Sequence, residues 1–213
     1  MLAGHLGAAV AARRFAPQTN VGWLVLAALF ADVLLWTLIL LGAERVVLPV
    51  DPESRRYLTF VFPYSHSLVA TVIYACLFGA LALRQRTWRL ACIVAATIAS
   101  HFVLDALVHI PDLTLAGADS LRFGTSLQAQ PLSALALEAV LTLAGLILYW
   151  PVRRNAVVAV VAVTLLLTIF GTLWGPLPDS ETQAAVGPLV TNLMLIAACL
   201  WLDRDESSRP LPK

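Results

Sequence analysis

Charge is scarce in this chain. Lys, Arg, Asp and Glu make up 13% of its 213 residues, about half the share of an ordinary soluble domain. The net charge is +1, so the chain has neither a basic footprint for nucleic acid nor an acidic tail. Cysteine is confined to Cys76, Cys92 and Cys199. Each stands in an apolar run and none belongs to a Cys-x-x-Cys pair, so they read as buried small hydrophobes. Gly-x-Ser-x-Gly and Walker-type loops are both missing, which removes the motif basis for covalent serine chemistry or a nucleotide-driven mechanism. There is no internal repeat. The start of the chain does not read as a cleavable signal: Arg13 and Arg14 follow the first apolar stretch instead of preceding it, and the next apolar run is too long for such a signal.

What the chain has instead is long hydrophobic runs. Hydrophobic residues reach 60% and the mean hydropathy is +0.83. A helix needs roughly 20 apolar residues to cross about 30 Å of hydrocarbon. Six segments qualify: Gly22–Gly42, Ser67–Leu83, Arg89–Ile110, Leu132–Trp150, Ala156–Trp174 and Ala185–Leu202. Proline and charge clusters separate them, as in Pro49-Val50-Asp51-Pro52 and Gly175-Pro176-Leu177-Pro178. The expected fold is all-α: a polytopic membrane bundle of six transmembrane helices forming one domain over 1–202, with a polar tail at 203–213. Ten Lys and Arg residues fall in loops on one side and four on the other, which predicts both termini on the cytoplasmic side.

Residues 1–16 are apolar but too short to span. They can lie flat at the interface with Arg13 and Arg14 among the headgroups. They can also re-enter the membrane as a half-length helix that turns at Pro17-Gln18-Thr19-Asn20, with Asn20 or Thr19 capping the next helix.

Ionisable groups within such segments are costly and usually functional. Asp32 lies midway along the first span, His101 and Asp105 in the third and Glu138 in the fourth. His66 opens the second, and His109 and Asp112 follow the third; Asp112 reads as a solvated turn residue after Pro111. His101 and Asp105 share a helix face, and His109 approximately continues it. A rise of about 1.5 Å per residue puts Asp32, His101 and Glu138 roughly 18–20 Å from the cytoplasmic ends, and Asp105 and His66 near 25–27 Å. A re-entrant first helix would carry His5 to roughly 18 Å as well. One polar layer in the outer half of the bilayer is the outcome. Its nitrogen and oxygen donors suit zinc, manganese or iron, and their number allows one or two ions. Two metals can clamp the attacking and leaving oxygens of a phosphoester.

Several motifs are familiar. Gly4-His5-Leu6-Gly7, Phe30-Ala31-Asp32, Tyr64-Ser65-His66-Ser67-Leu68, Ser100-His101-x3-Asp105 and Val108-His109-Ile110-Pro111-Asp112 resemble the YdjM-like bacterial inner-membrane proteins described as metal-dependent hydrolases. The resemblance extends over nearly the whole chain. The order of His5, Asp32, His66, His101, Asp105 and His109 is also distantly similar to the ligand order of zinc-dependent phospholipase C. The chain departs from that pattern after His109, where no further histidine occurs and Ala134 stands four residues before Glu138. The resemblance implies a membrane-embedded hydrolase of the bacterial inner membrane, with a divalent metal, most simply zinc. Its metal ligands would be His5, Asp32, His66, His101, Asp105 and His109. Glu138 and Asp105 would be the catalytic carboxylates, and a phosphoester of a lipid or lipid-linked compound the substrate. Arg122, or Arg55 and Arg56, would receive phosphate or simply face headgroups. A small proton- or cation-coupled permease and a non-catalytic assembly protein are the alternatives that the same polar layer allows.

Overall fold

The computed structural model describes residues 1–49, 57–84, 87–150 and 155–204. Arg55, Arg56 and nearly all of the expected tail lie outside them. Among the described residues, seven α-helices follow in order: α1 (Leu2–Arg13), α2 (Val21–Leu40), α3 (Leu68–Leu83), α4 (Trp88–Ala106), α5 (Pro131–Tyr149), α6 (Asn155–Trp174) and α7 (Glu181–Leu202). Two small antiparallel ribbons cover one end: β1 (Arg45–Val47) with β2 (Thr59–Val61), and β3 (Leu113–Thr114) with β4 (Arg122–Phe123).

Local chemistry sets the helix ends. Asn20 caps α2 by accepting from Gly22 N at 2.8 Å, Ser67 caps α3, and Pro131 opens α5 at a position where a missing N–H costs nothing. The last turn of α2 closes through Gly42, at φ +75°. Gly42 N donates to the Ile39 carbonyl and Ala43 N to the Leu38 carbonyl, the paired bonds of a Schellman turn. That turn reverses the chain, and Glu44 folds back beneath it, buried.

Among the described residues, five helices, α2, α4, α5, α6 and α7, are long and apolar enough to cross a membrane. The sixth expected span is the correction. α3 has 16 residues, about 24 Å of rise, short of the roughly 30 Å core. Its N-terminus starts at the depth of the His66–His101 contact, so the preceding loop descends to that level before the helix begins. The outer faces match lipid. Ile147 on α5, Leu166 and Phe170 on α6 and Met194 on α7 are all more than half exposed, an apolar surface that hydrocarbon tolerates and water does not. Cys76 and Cys92 lie on this outer surface, contrary to expectation; Cys199 is buried.

α1 settles the alternatives for the first residues. It is not flat at an interface; it lies inside the bundle against α5, α2, α4 and α6. The approach to α5 is set by glycine: a Cβ on Gly145 would strike the Gly7 backbone, and one on Gly7 would strike Leu141 and Thr142. Such small-residue contacts let helix backbones meet closely. At the base of α1, Arg13 pairs with Asp203 at 3.5 Å, and Asp203 accepts from Val21 N at 2.7 Å. Asn20 Nδ2 also donates to the Leu200 carbonyl at 3.0 Å. The end of α1, the start of α2 and the end of α7 are thus tied at one face. Leu6, Val10, Leu24, Leu29, Val157 and Val161 form the core above them.

Candidate metal centre

Four elements deliver the polar layer to one point. α2 brings Asp32, the loop before α3 brings His66, α4 brings His101 and Asp105, and α1 brings His5. His66 Nε2 lies 3.1 Å from His101 Nε2 and 3.6 Å from both Asp32 Oδ1 and Asp105 Oδ2. His101 Nε2 lies 3.2 Å from Asp105 Oδ2 and 3.8 Å from Asp32 Oδ1. Asp105 turns its other oxygen to His5 Nε2 at 3.0 Å. The His5 ring stacks on His101, with centroids 3.9 Å apart. The imidazoles of His5, His66 and His101 and the Asp105 carboxylate are at most 3% exposed, whereas Asp32 keeps 18% and forms the more open edge.

The hydrogen bonds behind this cluster decide where its protons sit. His101 Nδ1 faces the Ala28 carbonyl at 2.7 Å; a carbonyl only accepts, so Nδ1 carries a proton, and in the neutral imidazole Nε2 is bare. Ser65 donates its hydroxyl hydrogen to Glu44 Oε2 at 2.7 Å. Ser65 Oγ must therefore accept from His66 Nδ1, 2.8 Å away, and His66 Nε2 is bare too. With both rings neutral, two lone pairs point at each other across 3.1 Å, next to two carboxylates. A cation resolves that repulsion. A metal 2.0–2.2 Å from tetrahedral nitrogen and oxygen donors separates those donors by about 3.3–3.6 Å. The contacts among His66, His101, Asp32 and Asp105 run from 3.1 to 3.8 Å. His5 Nδ1, moreover, is buried with no hydrogen-bond partner among the described residues. The buried His/Asp group can hold a metal ion. It contains two overlapping sets, Asp32, His66 and His101, and His5, His101 and Asp105.

The other expected residues divide. His109 belongs to neither compact set; it lies beyond the end of α4, with Nε2 3.9 Å from Asp105 Oδ1. Its Nδ1 bonds Asp112 at 3.1 Å. Asp112 is not a solvated turn residue, because the β3–β4 ribbon and the strand of chain after it fold over this turn and leave it 6% exposed. Glu138 reaches the right depth but turns to α1, where its Oε1 accepts from Ala3 N at 2.8 Å and Gly4 N at 3.3 Å. It caps the helix that carries His5. Arg122 is exposed on β4 and donates to the Ala118 carbonyl. Sequence reasoning missed Glu44. Its carboxylate accepts from Tyr64 N, Ser65 N and the Ser65 hydroxyl at 2.7–2.9 Å, and so orients His66 from behind. The one local hint was Gly42, a helix-ending glycine that sends the next residues back toward the bundle.

Fold and site together define a class: an apolar helical bundle of the membrane type around one buried His/Asp cluster able to hold a metal ion. Compared with protein-family models, with curated proteins and with solved structures, the chain matches none.

Proposed function

We propose that this protein is a membrane-embedded, metal-dependent hydrolase of the YdjM-like kind, acting on a phosphoester of a lipid or lipid-linked substrate. The observation behind the reading is the pair of bare Nε2 atoms on His66 and His101, 3.1 Å apart and flanked by Asp32 and Asp105. Those four residues would hold the first ion, most simply zinc. His5 and the second oxygen of Asp105 would contribute to another, with His109 at its edge. When bound, the metal supplies Lewis acidity toward a phosphoryl oxygen and lowers the pKa of water. The chain's own residues do the rest: Ala28 and Ser65 hold the imidazole protons away from the centre, and Glu138 keeps α1, and with it His5, in place. The charge bias of the loops favours cytoplasmic termini, which would leave the site in the outer half of the membrane; the YdjM-like resemblance is the ground for a bacterial inner membrane.

The test is metal analysis of detergent-purified protein at neutral pH, wild type beside His101→Ala. The wild type should retain at least one transition-metal ion per chain and the variant should lose it. A wild type without stoichiometric metal would sink the hydrolase reading. One observation favours a second reading: a single proton shared between His66 and His101 would also relieve their facing lone pairs. Metal-free protein that moves protons in proteoliposomes, and stops when His101 is replaced, would establish that permease-like role instead.

A further inference from the structure

Two hollows share a wall at Gly171. The first, of about 440 Å³, is lined by Met1, Tyr57, Gln128, Glu138, Gly171 and Thr172, among others. It abuts the centre: the main-chain nitrogen of Met1 is 3.8 Å from Asp105 Oδ1, and Val108, next to His109, also lines it. Gln128, whose side-chain amide nitrogen is buried without a partner among the described residues, and Glu138 give this hollow a polar wall. The second, of about 950 Å³, is a groove between α6 and α7. Its walls are almost wholly apolar, and two of its threonines, Thr164 and Thr191, return their hydroxyls to their own helix carbonyls, so they offer no unused donor. Gly171 lines both hollows, and consecutive residues of the chain line one each, Met1 the cavity and Leu2 the groove.

From these observations we infer that the α6–α7 groove seats one acyl chain of a membrane lipid whose polar portion occupies the cavity beside the His/Asp cluster. The dimensions agree. The groove runs from Ala159 to Gly171 on α6 and from Pro188 to Ala198 on α7. That is about 15–18 Å at helical rise, comparable to one acyl chain in a leaflet of roughly 15 Å, and it crosses the middle of the bilayer with Gly171 at the end nearer the depth of the cluster. The groove faces the lipid phase, so the chain reaches it sideways without leaving hydrocarbon, while the polar end slides past Gly171 into the protein. Gly171 is the threshold, and open space surrounds the position its Cβ would take. A larger side chain there narrows the passage without striking backbone. The inference rests on the proposed lipid substrate, but it concerns where that lipid sits and not what is done to it.

The experiment is photo-crosslinking in nanodiscs with a phospholipid carrying a diazirine midway along one acyl chain, on both metal-replete and chelator-treated protein. Labelling should concentrate on groove residues such as Leu167 and Met194. In Gly171→Leu it should fall at least fivefold there, while labelling of the exposed Leu143 and Ile147 on α5, which do not line the groove, stays unchanged. Thermal unfolding verifies that the variant folds; should it not, Thr168→Trp, which fills the groove itself, takes its place. Labelling spread evenly over the outer faces, or groove labelling indifferent to both substitutions, would overturn the inference. Because the readout needs neither metal nor turnover, it can fail while the hydrolase reading stands, and the reverse.

Discussion

Replacing Glu44 by Gln alters the proposed metal centre without touching a ligand. Glu44 accepts three hydrogen bonds at 2.7–2.9 Å. A glutamine keeps the oxygen that receives Tyr64 N and Ser65 N but puts an amide donor opposite Ser65 Oγ. Ser65 Oγ must then accept from that amide, so its hydrogen turns toward His66 Nδ1. His66 responds by moving its own proton to Nε2, where it donates to the bare Nε2 of His101. The metal-free protein loses its lone-pair clash, so its stability is unchanged or raised. The metal-binding protein loses a ligand unless it reverses the tautomer. Partners behind metal-ligating histidines are worth about 10–100-fold in affinity, or roughly 1.4–2.7 kcal/mol. Zinc titration against a chromophoric chelator in detergent should show that loss, with metal-free melting temperatures within a few degrees of each other. Glu44→Ala differs in sign for the metal-free protein: it strands buried donors that had charge-assisted bonds worth about 1.5–3 kcal/mol each, so the fold itself weakens. Wild-type zinc affinity in a folded Glu44→Gln variant would refute the tautomer reasoning.

Two further outcomes follow from the packing. Gly145→Val drives a side chain into the Gly7 backbone; it should lower stability by at least about 1–3 kcal/mol and reduce bound metal, since α1 carries His5, as melting curves and metal analysis would record. Asp203→Ala leaves Arg13, 2% exposed, without its 3.5 Å carboxylate; about 3–5 kcal/mol of destabilisation is expected, with Asp203→Asn milder because it can still accept from Val21 N.

How far the site could be read from the sequence depended on which coordinate a residue pattern encodes. Helical rise converts position into depth, so Asp32, His101, Asp105 and, given re-entry, His5 fell in one layer before any contact was known. The four-residue spacing of His101 and Asp105 also encodes direction, and that pair was legible as a unit. Glu138 shows the gap: its depth was right, but the direction it faces depends on where α1 packs, which no spacing in α5 records. Glu44 and Asp112 were hidden for a related reason. Both stand in connecting segments whose return to the bundle depends on a Schellman turn and on a two-residue ribbon. The shortness of α3 had the same origin. Hydropathy counted Ser67–Leu83 as a span, while the loop before it spends its length reaching the site.

The seating of α1 bears on how the molecule is made. Its closest partner is α5, met through Gly7 and Gly145, with well over a hundred residues of chain between them. During synthesis the first helix leaves the ribosome long before α5 exists, with Arg13 and His5 still lacking their partners Asp203 and Asp105. Contacts of such large sequence separation form late. α1 can meet α2 and α4 as soon as they are made, but its seat against α5 and α6 exists only after those helices have been laid down. A chain arrested before α5 thus has every histidine of the cluster but lacks the α5 wall that Gly7 and Gly145 fit together.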